Sequence, residues 1–227
     1  QRVFIMDKAE QFLPNYLRFV KGLVDTNDLP LNVSREMLQE TSITQKLKKA
    51  LTRRVLGMLE KMAKDEPAKY ADFWKQFGRV MKEGPVEDSA NRDAVLKLLR
   101  FASTHNSTDE QNVSLDDYVA RMKEGQKCIY YAAGESIAAV DKLPQTELLK
   151  DKDYEVLYLT GETDEFVLQA LMNYDEKPFR SIVDGDLELG GEEEHKDDSE
   201  SAELMQFVKE TLGDQVASVR LSNKLVS

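Results

Sequence analysis

Hydrophobic positions recur along this chain with two different periods, and the places where the period changes divide it into regions. Residues 1–41 open on the apolar run Val3-Phe4-Ile5-Met6, pass through a short helical pattern near Ala9 to Leu13 and a second extended run from Phe19 to Val24, and end in a polar loop. This stretch reads as the end of a larger α/β unit. From Ser42 the period becomes 3.6. Ser42 and Gln45 have the spacing of a capping box, and Leu47, Leu51, Val55, Met58 and Met62 make one apolar stripe of a long amphipathic helix. After the Glu66-Pro67 break, Tyr70, Phe73, Trp74, Phe77 and Met81 make a second stripe, closed by Gly84-Pro85, and Ala94, Val95, Leu98 and Leu99 begin a third. Residues 42–123 therefore read as a helical module.

The pattern then returns to alternation. Lys127 to Ala132 is a short apolar run rich in aromatic and branched residues, Gly134 turns the chain, and Ser136 to Val140 starts a helix. Tyr154 to Leu159 is a second such run and Asp164 to Met172 a second helix. Two strands joined by a helical crossover favour a parallel pair with a right-handed connection. Residues 124–183 thus form a predicted small β-α-β-α domain. Residues 184–200, acidic and glycine-containing without aromatics, predict a mobile linker. Beyond it, Ala202 to Leu212 has a helical pattern stopped by Gly213, and Val216 to Leu221 alternates like a strand, so 201–227 reads as the start of a further domain. The expected class is α/β with a helical insertion, in an excised fragment that opens at Val3 without an initiator methionine.

Charge changes this picture more than composition does. The net charge of −11 is concentrated, because residues 184–200 carry nine carboxylates against one lysine, a local −8 that leaves −3 for everything else. Conversely, Thr44 to Lys64 holds seven basic side chains (Lys46, Lys48, Lys49, Arg53, Arg54, Lys61, Lys64) against Glu60, which is +6 on one helix. A single cysteine, Cys128, excludes an internal disulfide framework, and two isolated histidines beside it leave no zinc constellation. No apolar run approaches the length of a membrane helix and no signal peptide is visible, so a soluble, cytoplasmic protein without a membrane partner is expected.

Three local features carry candidate chemistry. Ser34 is a good N-cap, which makes Arg35 the first residue of a short helix, where a cation opposes the helix dipole at a cost of a few tenths to about 1 kcal/mol. Either the side chain swings into solvent or it is held for an anion supplied from elsewhere. The basic helix 44–64 could bind nucleic acid or another polyanion, with affinity that falls steeply in salt, or could be a solvated face; no aromatic or glycine pattern of a nucleic-acid module accompanies it. Gly134-Glu135-Ser136 stands where a nucleophile elbow would, but lacks the final glycine and a placed base, His105 lying upstream and His195 in the acidic run. Turn and helix-start chemistry explain it, and Cys128 and Trp74 read as core residues. No glycine-rich phosphate loop occurs.

The wording of the loop is more telling than its physics. Val24-Asp25-Thr26-Asn27-Asp28-Leu29-Pro30-Leu31-Asn32-Val33-Ser34-Arg35-Glu36-Met37-Leu38-Gln39 resembles the signature of the ninety-kilodalton heat-shock chaperone family of the bacterial HtpG type. Val3 to Asp7, Phe12 to Gly22, Lys97 to Thr104, Asp117 to Met122 and Ile129 to Tyr131 resemble the same family in the same order. The resemblance implies the middle segment of an ATP-dependent, homodimeric chaperone acting in stress response and protein folding, flanked by an N-terminal ATPase domain and a C-terminal dimerisation domain. It implies that Arg35 reaches the γ-phosphate of ATP, bound with magnesium by the N-terminal domain, that Asn32 lies in the same loop, and that Gln39 supports it. It further implies client binding near Phe166, with Glu165 beside it and Met172 at the end of the helix. Phe166 could equally pack inward with Leu168 and Met172. This segment alone is expected to be inactive as an enzyme, and nucleic acid is the lesser reading.

Overall fold

The computed structural model describes residues 9–25, 42–106, 109–161, 163–183, 207 and 209. Asn32, Arg35, Gln39, the acidic run 184–200 and the predicted strand Val216 to Leu221 lie outside the described residues. The chain forms a mixed five-stranded sheet with helices on both faces, in the strand order β1-β3-β2-β5-β4.

Two long helices precede the sheet. Helix α1 (Ser42–Asp65) is built of strong helix formers and ends where Pro67 restricts the residue before it; that proline then opens α2 (Pro67–Met81) from its first turn. Along α2 the predicted stripe is the observed one, with Tyr70, Trp74 and Met81 buried and Phe73 and Phe77 half-buried. Along α1 the stripe is turned by roughly one residue, 100° of helix. Thr44, Thr52, Leu56 and Leu59 face inward while Met58 is 58% exposed. Threonines are short enough to sit under packed neighbours, and counting only apolar residues missed them.

Residues 9–25 differ from expectation in kind. They hold two single 3-10 turns, Glu10–Phe12 and Asn15–Leu17, and no strand over Phe19 to Val24. Phe19 instead stacks on Phe77 and meets Phe73 edge-on, with ring centroids 4.7 and 5.3 Å apart, so an aromatic contact with α2 replaces the pairing that the extended pattern suggested. The segment is tied down by Arg18, which donates to both carboxylate oxygens of Glu83, at 2.7 and 2.9 Å.

After α2 the chain makes the short helices α3 (Gly84–Glu87) and α4 (Arg92–Leu96), then β1 (Ala102–Ser103) and α5 (Leu115–Arg121), whose capping box is formed by Ser114 and Asp117. Next come β2 (Ile129–Ala133), α6 (Ile137–Asp141), α7 (Pro144–Asp151), β3 (Val156–Leu159), α8 (Asp164–Leu171), β4 (Asn173–Tyr174) and β5 (Lys177–Ser181). The parallel β2 and β3 pair is as predicted, in the register Tyr130 to Val156 and Ala132 to Tyr158. The sheet also takes β1, antiparallel to β3, from the stretch predicted as helical, and closes with the β4/β5 hairpin, β5 lying parallel to β2.

Alternation along β2 and β3 sorts the core. Ile129, Tyr131, Leu157 and Leu159 pack under α1, α2, α4, α5 and α8, whereas Tyr130, Ala132, Val156 and Tyr158 pack with α6 and α7. Burial on both faces is why these strands read as continuous apolar runs. Gly134 and Ser136 serve this packing: a Cβ on Gly134 would stand 2.6 Å from Val140, and the Ser136 hydroxyl accepts from the Ala139 N–H to cap α6. Cys128 is half-buried against the second cluster. No helix among the described residues is long and apolar enough to cross a membrane.

Candidate functional site

Helix α8 is short, and its sequence is apolar on more than one side. Val167, Leu168 and Leu171 turn into the core, and Asp164 is buried with them. Phe166 is 63% exposed and Met172, just past the helix end, 72% exposed. The outward alternative for Phe166 is therefore the observed one. Glu165 lies half-buried in the first turn, where a carboxylate complements the helix dipole. Gln169, one turn on, donates to it at 3.3 Å. Glu165, Phe166, Gln169 and Met172 thus share the outer side of one element.

Backbone strain collects just beyond. Met172 has a φ of 61°, and the two loop residues of the β4/β5 hairpin, Asp175 and Glu176, have φ values of 48° and 61°. Left-handed backbone is unusual for side-chain-bearing residues and is the conformation that glycine or asparagine supplies in a two-residue hairpin loop. The Phe179 N–H donates to the Met172 carbonyl at 3.0 Å, which ties the hairpin to the helix end.

Beneath this surface lies an ion pair that sequence reading did not find. Lys82 Nζ stands 2.8 Å from Asp164 Oδ1, with the side chains 5% and 3% exposed. The ammonium lies 5.2 Å from the Phe101 ring centre and 5.9 Å from that of Trp74. It also reaches Gln111 Oε1 at 3.4 Å, an oxygen that accepts from Trp74 Nε1 at 2.9 Å. Burial pushes the Lys82 ammonium below the ordinary lysine value, against the pull of the Asp164 carboxylate. An aspartate at a helix start reads from sequence as a dipole-complementing acid on the surface. Nothing local signals that a lysine of α2's end will meet it.

The basic helix presents a second surface. Lys46, Lys49, Arg53, Arg54 and Lys61 share one open side of α1 with Ala50, Gly57 and Met58. Elsewhere, Glu155 accepts two hydrogen bonds from Arg121, both at 2.9 Å, and one from Ser103 at 2.6 Å. These groups satisfy one another and do not make a nucleophile with its base. Among the described residues no cluster of three His, Cys, Asp or Glu side chains could hold a metal ion. Arg35, Asn32 and Gln39 are not among the described residues, whereas Glu165, Phe166 and Met172 are, on and just past α8.

A model of the Hsp90 protein family matches residues 1–227, the whole chain, and the chain belongs to that family. Among its relatives, the protein named Chaperone protein HtpG from Cronobacter sakazakii is 56% identical, that of Pasteurella multocida 53% and that of Salmonella typhimurium 54%, each aligned over 99% of this chain. The chain spans 37% of the length of these relatives.

Proposed function

We propose that this chain is the middle segment of an ATP-dependent molecular chaperone and that its described part contributes a client-binding surface on the outer side of α8. The observation that carries the reading is that Phe166 on α8 and Met172 at its end are both held outward. Flexible or aromatic side chains left in water at a strained helix end suit non-native clients, whose common feature is exposed apolar side chains. Glu165 adds a carboxylate for basic flanking residues.

In the same reading Arg35 acts in ATP hydrolysis from outside the nucleotide pocket. A guanidinium fork stabilises the charge that develops on phosphate oxygens without needing to give up a proton, and a residue supplied by a second domain makes hydrolysis depend on domain closure. Asn32 shares its loop and Gln39 supports it. ATP with magnesium is held by a domain N-terminal to this chain, and a homodimer forms through a domain C-terminal to it; the cytoplasm is the expected compartment.

Full-length protein tests both halves. Arg35→Ala should leave ATP affinity nearly unchanged and lower steady-state turnover at least about tenfold, because ground-state binding and transition-state stabilisation lie in different domains. Wild-type turnover in that variant would remove Arg35 from the mechanism. Phe166→Ala should weaken binding of an unfolded model protein, and unchanged binding would remove α8 from the client site.

A binding role for the basic face of α1 is a second reading, favoured by the five basic side chains on one open side of that helix. It predicts polyanion binding that is lost between low and physiological salt.

A further inference from the structure

The apolar pattern of α8 does not by itself say which side faces the core. Phe166, Val167, Leu168, Leu171 and Met172 surround much of its circumference, and a turn of the helix by one residue position, 100°, would bring Phe166 to the place of Val167 while carrying Leu168 and Leu171 toward water. Apolar burial thus favours the observed setting broadly, and a directional contact can fix it more closely.

Asp164 is the first residue of α8, and its carboxylate is held from two directions. Oδ1 meets Lys82 at 2.8 Å, and Oδ2 accepts from the Gly161 N–H at 3.3 Å. The loop closes on the carboxylate so tightly that a Cβ on Gly161 would stand 2.9 Å from Oδ1. Lys82 is itself fixed, as the C-cap of α2 with its N–H bonded to the Gly78 carbonyl, above two aromatic rings and beside Gln111. Buried ion pairs add little net stability over apolar residues of the same volume, but they are directional, and a carboxylate rotated away from Lys82 would be stranded in the core.

We propose that Lys82 and Asp164 are positioning residues for client binding: the buried pair sets the rotation of α8 about its axis and so holds Phe166 outward while Val167, Leu168 and Leu171 turn inward. The proposal rests on the reading of this face as a client site. The pair acts at the start of the helix, two residues before Phe166, where an angular constraint passes directly to the side chain that binds.

The test replaces both charges at once with Lys82→Met/Asp164→Leu in the full-length protein, which strands no charge. Two quantities are read: the alkylation rate of a thiol introduced by Phe166→Cys, with Cys128→Ser and the same protein lacking the introduced thiol as background, and the affinity for reduced, carboxymethylated α-lactalbumin when Phe166 is intact. The expected result is a melting temperature near wild type, with alkylation slowed and Kd raised at least about fivefold. A merely structural pair would give wild-type alkylation and wild-type Kd once the melting temperature is restored, and that result would overturn the proposal. If the double replacement does not fold, Asp164→Asn, which keeps the Gly161 hydrogen bond and loses the ion pair, takes its place. Slowed alkylation and weakened binding in that variant would again support the proposal, and wild-type values of both would again overturn it. Alkylation reports orientation without any client, so a failure of the client reading shows as unchanged affinity in Phe166→Ala and leaves the positioning result to stand or fall separately.

Discussion

Helices α1 and α8 solve the problem of facing water in opposite ways. The outer side of α1 carries Lys46, Lys49, Arg53, Arg54 and Lys61 and turns Leu56 and Leu59 inward, with Met58 the large apolar side chain left out. At the start of α8 the order is inverted, with a carboxylate buried and a phenylalanine in solvent. Long basic side chains can lay their stems along a helix and keep their charges wet, so the α1 face needs no partner to be stable. A buried aspartate needs a buried cation, and an exposed phenylalanine forgoes burial worth about 1.5–3 kcal/mol. The inversion at α8 is therefore the more informative surface, because ordinary folding would not leave it that way.

The largest expected effect probes the buried side of that inversion. Lys82→Met leaves Asp164 buried without this cation and should cost about 3–5 kcal/mol in urea unfolding, whereas Lys49→Met on the open face of α1 should stay within about 0.5 kcal/mol. Similar costs for the two would erase the distinction between the helices.

A smaller pair of effects runs in the stabilising direction. Gly57 stands in mid-helix in α1 with open space where a Cβ would go, so Gly57→Ala should add about 0.5–1 kcal/mol. Glu176 holds left-handed backbone in the hairpin after α8, and Glu176→Gly should relieve a strain of about 1 kcal/mol, offset in part by the greater freedom glycine gives the unfolded chain. Thermal melts of the two variants measure both. A loss of stability in Glu176→Gly would mean that its side chain contributes more than its backbone conformation costs.

The outward apolar residues separate binding from stability. Phe166→Ser and Met58→Ser should each change unfolding free energy by no more than about 0.5 kcal/mol, since both side chains are mostly in water. Only the former should weaken client binding. Equal loss in both would make apolar exposure in general, rather than the α8 surface, the binding feature.

The smallest effect contrasts the buried pair with a half-exposed one. Hydrogen bonds from Lys150 and then Tyr158 hold the Asp141 carboxyl below the usual range. Its contribution is therefore present above the ordinary carboxylate value and lost as pH falls through the native value, because the unfolded chain takes up the proton first. Asp141→Asn should flatten the fall in stability as pH drops through and below the ordinary aspartate value of about 4. An unchanged acid profile would assign the acid sensitivity to other carboxylates, with Glu83, lowered by Arg18, the next to test.

Much of the architecture could be read from residue order. The stripe of α2 follows a clean 3.6 period because Tyr70, Trp74 and Met81 lie in the core, Phe73 packs against it and Phe77 stacks on Phe19, and the parallel β2 and β3 pair was legible because strands covered on both faces are apolar throughout. β1 and the β4/β5 hairpin were not, since β1 and β4 have two residues each and show no period, β5 is the polar run Lys177–Ser181 interrupted by Pro178, and the hairpin loop carries glutamate where a glycine would have marked it. The rotation of α1 escaped because threonines carry its inward side.

The candidate site divides along the same line. Residue order by itself determined the family, through the loop around Arg35, and placed Phe166 on a helix after β3. Which way Phe166 faces was left open, because α8 is apolar on several sides and periodicity weighs side chains without knowing their neighbours. The tertiary structure decided it, by bringing Lys82 from the end of α2 under Asp164. A buried charge can be satisfied only by a partner in space, and that partner is invisible until the chain has folded.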